Sequence, residues 1–155
     1  MVTLNIAHGR GLNPFQGTSS AERLRRNLRR IAALLRRIRP DIVALQEIDQ
    51  NSAWAGNFDQ LDYLAREAEM PFSVFGVHNR REGRLNLAYG NAILSRHPIL
   101  ASETVSFGQR RVGEKGFIFA ELDLLGKRLP VVNLHLHYRS KVQRFDQLDQ
   151  MLLFL

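Results

Sequence analysis

The 155-residue sequence contains no cysteine. That excludes disulfides, thiolate-bound zinc, iron–sulfur clusters and a cysteine nucleophile. Aromatic residues are sparse at 8%, with a single tryptophan. No run approaches the roughly 20 apolar residues that a membrane-spanning helix needs. The opening MVTLNIAHGRG lacks the charged and apolar regions of a signal peptide, so the expectation is a cytoplasmic protein. Acidic residues are scarce at the start. Residues 1–40 hold nine Arg and one Glu, while the remainder is close to balanced, so the net charge of +7 belongs to the opening segment. With 45% apolar and 24% charged residues the composition is globular, and the length suits one domain.

Residues 21–40, AERLRRNLRRIAALLRRIRP, concentrate that charge. Leu24, Leu28, Ile31, Leu35 and Ile38 recur at steps of three and four, which predicts a helix with one apolar face. Thr18, Ser19 and Ser20 are N-cap candidates, and Pro40 ends the helix. Arg25, Arg26, Arg29, Arg30, Arg36 and Arg37 fall mostly on the remaining circumference. They can form a patch for nucleic acid or an anionic membrane. They can equally be a solvated face whose stems cover apolar surface.

The apolar pattern predicts strands over 2–7 and 41–47 flanking that helix, a strand–helix–strand opening. A helix over 58–69 turns Leu61, Leu64, Ala65 and Ala68 inward. A strand over 72–77 is followed by a polar loop over 78–86. Residues 90–96, 99–107, 115–124 and 128–138 read as successive strands. A last helix over 141–155 places Phe145, Leu148, Leu152 and Leu155 on one face. It ends in MLLFL with no cap or polar tail, which points either to a docked helix or to a cut sequence.

Three features bear on chemistry. Glu47 stands at the end of the apolar run DIVALQE, where α/β folds place their sites. Asn5 interrupts an apolar strand, and an amide carbonyl beside a carboxylate suits Mg²⁺. His135 and His137 alternate with Leu134 and Leu136, so both lie on one strand face. Such a pair can bind a transition metal, include one catalytic histidine, or line a wet face.

In this order, TLNIAHGRG (3–11), PDIVALQEID (40–49), YGNAILSRHPI (89–99), KGFIFAEL (115–122) and VVNLHLH (131–137) resemble the endonuclease/exonuclease/phosphatase superfamily of deoxyribonuclease I type. The resemblance implies an α/β fold, half of a four-layer α/β/β/α sandwich with mixed, largely antiparallel sheets and outer helices, roughly one sheet from each half of the chain. It implies a metal-dependent phosphoesterase using Mg²⁺ or Mn²⁺, with Glu47 the principal metal ligand and Asn5 assisting. His135 would polarise the scissile phosphate. Asn91 and Tyr89 would lie on the substrate side, and His8, Arg10 and Lys115 would contact phosphate. No role passes to His137.

A metal ion neutralises an anionic phosphodiester and stabilises the leaving alkoxide. Donors such as His⁺ stabilise the phosphorane oxygens, and a carboxylate or Asp–His pair activates water. The family's Gly-Asp-Phe-Asn and Ser-Asp-His motifs do not occur in these residues. The expectation is therefore the N-terminal part of a longer enzyme, with little activity alone, a missing C-terminal half as partner, and a phosphate-ester substrate. Two alternatives stand beside it. One is a non-catalytic module binding nucleic acid or anionic membrane through residues 21–39. The other is a half-domain that self-associates through apolar surface.

Overall fold

The computed structural model describes residues 1–108 and 113–155. Its strands are β1 (Val2–Asn5), β2 (Ile42–Asp49), β3 (Phe72–Arg81), β4 (Leu87–Ser95), β5 (Ile99–Ser106), β6 (Gly116–Leu124) and β7 (Lys127–His135). Its helices are α1 (Ala21–Ile38), α2 (Gln60–Glu67) and α3 (Lys141–Phe154). A four-stranded sheet runs β1-β2-β4-β3 and a three-stranded sheet runs β5-β6-β7. Among the described residues, only β1 and β2 pair in parallel. The parallel pair follows from the intervening helix, since parallel neighbours need a crossover. The other strand pairs, β2 with β4, β3 with β4, β5 with β6 and β6 with β7, are antiparallel.

Period-two patterning assigns each strand face. Val43 and Leu45 of β2, with Ala92 and Leu94 of β4, turn toward α1 and α2. Ile42 and Ile93 turn the other way and meet Ile118, Ala120, Leu122 and Val131 of the second sheet. Phe117 and Phe119 of β6 face outward onto Phe154 of α3, at centroid distances of 5.2 and 5.9 Å. All four layers, α/β/β/α, are thus present, and both sheets come from this chain. The expected division of one sheet to each half is corrected: the inner face of the first sheet is already covered.

Helix α1 begins where the sequence indicated. Of three hydroxyl candidates, Ser20 is the cap, and its Oγ accepts from Arg23 N–H. It ends at Arg39, which adopts φ 55° and donates its N–H to Leu35 O. Pro40 disfavours a helical conformation at Arg39, so the turn falls there. Leu24, Leu28, Ala32 and Leu35 are buried. Ile38, expected inward, is 51% exposed because the chain has already begun to turn away.

Two elements differ from expectation. Strand β3 extends to Arg81, through residues expected to be loop, because its ladder with β4 continues to Arg81↔Leu87. In α3 the buried residue is Gln147, with Leu148, Met151 and Phe154 half-buried, while Phe145, Leu152 and Leu155 are exposed. Gln147 is drawn inward by the His137 N–H, which its Oε1 accepts at 2.8 Å. Among the described residues, no helix is long and apolar enough to cross a membrane.

Candidate active site

The site forms where the ends of β1, β2 and β7 meet the start of β6. Glu47 reaches it through a β-bulge. The register of β2 against β4 slips between Gln46 and Ile48, and Glu47 takes φ 54°. Odd-numbered residues earlier in β2 point into the helix-side core. Without the bulge, Glu47 would do the same. The extra residue sends Ile48 into that core and frees the carboxylate. A second slip, between Val77 and Asn79, makes His78 the matching bulge residue on β3. Gly90 of β4 sits between the two. A Cβ there would lie 1.9 Å from Gly76 O, so the Gly of YGNAILSR is a packing requirement.

Glu47 gathers groups from both sheets. His8 Nε2 lies 3.8 Å from its Oε2, while Lys115 Nζ and His135 Nε2 each lie 3.7 Å from Oε1. Lys115 Nζ also stands 3.1 and 3.2 Å from the two ring nitrogens of His135. The Asn5 side chain hydrogen-bonds Glu47, while its Oδ1 accepts the Ala7 N–H at 2.9 Å. Burial pushes the Glu47 carboxyl up, but His8, Lys115, the Asn5 hydrogen bond and His135 outweigh it and hold the group below its usual range. Burial lowers Lys115, opposed by Glu47. Burial and then Lys115 bring His135 down to about 4, against the pull of Glu47. Burial, with His135 and Lys115, brings His78 to about 4 as well.

Of the residues expected from sequence, Glu47, Asn5, His8, Lys115 and His135 therefore converge. Tyr89 packs against the His8 ring at 5.2 Å, and its hydroxyl accepts the Gly113 N–H. Burial raises the Tyr89 phenol, as do the charges of Asp49, Glu47 and Glu114, against that hydrogen bond. Asn91 is a correction. It is 0% exposed between the sheets, and its Nδ2 donates to Gly116 O and Asn133 O. A side chain so enclosed meets no substrate in this conformation. Arg10 turns to Gln16. His137 stands apart, its Nδ1 accepting the Ser140 N–H at the start of α3.

Sequence reasoning missed four neighbours. Asp49 and Trp54 hold His8, and His78 feels the charges of His135 and Lys115. Asn133 ties the sheets together, donating to Leu45 O and Ala92 O at 2.8 Å and accepting from Gln46 Nε2 at 2.7 Å. Its signal was present: an amide inside an apolar strand needs partners.

Among the described residues, no group of three His, Asp or Glu is disposed to hold a metal ion by itself. The donors present still fit Mg²⁺ or Mn²⁺. Mg²⁺ is held by one or two carboxylates and keeps several waters. Glu47 supplies an ionised carboxylate, and the Asn5 carbonyl has a second lone pair beyond the one Ala7 uses.

The model of the Endonuclease/Exonuclease/phosphatase family matches residues 2–155. The chain belongs to that family. Solved structures with the same fold include sphingomyelinase C from Streptomyces griseocarneus, at 24% identity and TM-score 0.67, covering 99% of this chain and 57% of that one. D. rerio TDP2 complexed with single strand DNA product matches at 20% identity and TM-score 0.64, covering 99% and 52%. A family member from Beutenbergia cavernae DSM 12333 matches at 21% and 0.64, covering 82% and 37%. No curated protein matches. The chain thus spans between about a third and three-fifths of the length of these three structures.

Proposed function

We propose that the chain carries the metal-holding and phosphate-contacting part of a divalent-metal-dependent phosphoesterase. The observation that carries this reading is the half-buried Glu47 carboxylate with Lys115 and His135 both 3.7 Å away from the opposite sheet. Glu47 and Asn5 would hold Mg²⁺ or Mn²⁺. The ion would neutralise substrate charge and favour the leaving oxygen. Lys115 supplies a cationic donor to a phosphoryl oxygen. His135, brought to about 4, is a neutral imidazole at neutral pH in the metal-free chain, so it offers one N–H where His⁺ would offer two. These donors are fixed before substrate arrives, which is the condition for effective stabilisation of developing charge.

The test separates binding from turnover. Mn²⁺ added to the chain should broaden resonances of Asn5 and Glu47, and Glu47→Gln should abolish the effect. Unchanged broadening in Glu47→Gln sinks the metal assignment. Hydrolysis of DNA or a model phosphodiester by these 155 residues is expected to be weak. Robust Mg²⁺-dependent cleavage, lost in Glu47→Gln, would overturn the need for residues beyond them.

A second reading has its own observation. A cleft of about 660 Å³ beside Asn5 is lined by Arg10, Arg23, Arg26 and Arg30. It supports binding of an anionic strand along α1 without catalysis. Affinity for single-stranded DNA should then fall steeply with salt, and the slope should flatten when Arg23, Arg26 and Arg30 become Gln. Binding indifferent to salt would exclude it, and preference for anionic vesicles would assign the cleft to a membrane surface.

A further inference from the structure

Asp49 is fully buried, and both its carboxylate oxygens are engaged by aromatic rings. Trp54 Nε1–H donates to Oδ1 at 2.7 Å, and His8 Nδ1 stands 2.7 Å from Oδ2. The His8 ring packs edge-on against Trp54 and Tyr89, at 5.3 and 5.2 Å between centroids. Its backbone adopts φ 58°, an uncommon conformation for a residue with a side chain. Gln60 secures that turn, donating Nε2–H to His8 O at 3.0 Å and accepting the Asp49 N–H on Oε1 at 3.3 Å. Groups from three separate parts of the chain thus converge on one imidazole. The result is that Nε2, the other ring nitrogen, lies 3.8 Å from Glu47 Oε2.

We infer that Asp49 is a positioning residue that fixes His8 with its hydrogen on Nδ1, so that Nε2 offers a lone pair beside Glu47. An ionised carboxylate can only accept, so the nitrogen facing it must donate. Trp54 holds the second oxygen, which stops the carboxylate from rotating. His8 then accepts a hydrogen from a water at the site, and does not donate to a phosphate oxygen. It is a water-orienting group in a chain whose own residues contain no contiguous Asp-His sequence. The water-orienting role rests on the phosphoesterase reading. The ring state does not.

The test is the ¹⁵N spectrum of the histidine rings in the whole 155-residue chain, without metal or substrate, at alkaline pH. The wild-type His8 ring should carry its hydrogen on Nδ1 alone. In Asp49→Asn one amide oxygen faces two ring donors. The indole can only donate, so it takes the oxygen, and the amide NH₂ turns to His8 Nδ1. The hydrogen of His8 should then move to Nε2. Trp54→Phe alone should leave the wild-type state. Adding it to Asp49→Asn should restore Nδ1–H, because the oxygen is freed. A purely structural role would not produce this switch and its rescue. A hydrogen on Nε2 in the wild type, alone or with one on Nδ1, overturns the inference. So does a changed ring in Trp54→Phe, or an unchanged one in Asp49→Asn. None of these readouts depends on hydrolysis, so failure of the phosphoesterase reading is seen separately.

Discussion

Lys115 Nζ lies 3.7 Å from Glu47 Oε1, which joins the start of β6 to the bulge of β2 across the two sheets. Both side chains are largely buried, so each relies on the other more than a surface pair does. Glu47 raises the pKa of Lys115 against the effect of burial. Removing the carboxylate in Glu47→Gln therefore lowers Lys115 further. The expected outcome is a larger fraction of neutral amine at neutral pH, and faster modification of Lys115 by an amine-acylating reagent than in the wild type. Mapping modified lysines by mass spectrometry reads this directly. Equal rates in the two proteins would mean that the pair carries no coupling.

The second prediction concerns acid. His78 titrates at about 4 in the folded chain because burial, then His135 and Lys115, disfavour its cation. Unfolded, it returns to the usual value near 6.5. Between those values the unfolded state binds more protons, so stability rises with pH across this window and is lost as pH falls through it. The full difference corresponds to about 3 kcal/mol for this group. Denaturation midpoints should fall between about pH 6.5 and 4, and His78→Gln should flatten that slope. A variant with the wild-type slope would show that other groups set the acid limit.

The place of Glu47 at the end of β2 was legible from the apolar run DIVALQE, while an acid there can equally face solvent or pair with an Arg, so its proposed role came from the family resemblance. The helix over 21–38 was legible because its repeat, hydroxyl cap and proline agree. His78 was not, because HNRREG is polar and only the ladder with β4 shows that it is strand. Asp49 was not, because its meaning depends on two rings and a bulge. Simple alternation puts Asp49 on the face of Glu47, and the slip between Gln46 and Ile48 separates them. Asn91 misled for the opposite reason. An amide in an apolar strand signals partners, and here those partners are backbone carbonyls of the opposite sheet. The face of α3 was misread because hydrophobicity favours Phe145 and Leu152, while one hydrogen bond draws Gln147 inward.

Asn133 makes a third prediction. Its side chain satisfies Leu45 O, Ala92 O and Gln46 Nε2 between the sheets. Asn133→Ala leaves these buried groups without that partner, at roughly 1–3 kcal/mol for each group that finds no other. The expected loss is about 3 kcal/mol by chemical denaturation, once partial relaxation is allowed for. Asn133→Asp should be no better, since a carboxylate cannot donate to the two carbonyls. A loss below about 1 kcal/mol in the alanine variant would mean that water replaces the amide without penalty.

Gly90 allows the sharpest comparison. A Cβ at this position would fall 1.9 Å from Gly76 O and 3.0 Å from His78 N, both backbone atoms of the neighbouring strand. Neither can swing aside as a side chain would. Gly90→Ala must therefore push β3 from β4 at the point where Glu47 and His78 bulge toward the site. Gly126 serves as the control: it has φ 82°, and a Cβ there would meet no atom within 4 Å. Gly126→Ala should cost about 1 kcal/mol, from backbone conformation alone. Gly90→Ala should cost several times that, about 3 kcal/mol or more, because strand separation breaks packing as well. It should also weaken Mn²⁺ binding, since the Glu47 bulge shares its register with Gly90. If the two alanine variants were equally mild in denaturation, the close approach of β3 and β4 at Gly90 would be disproved.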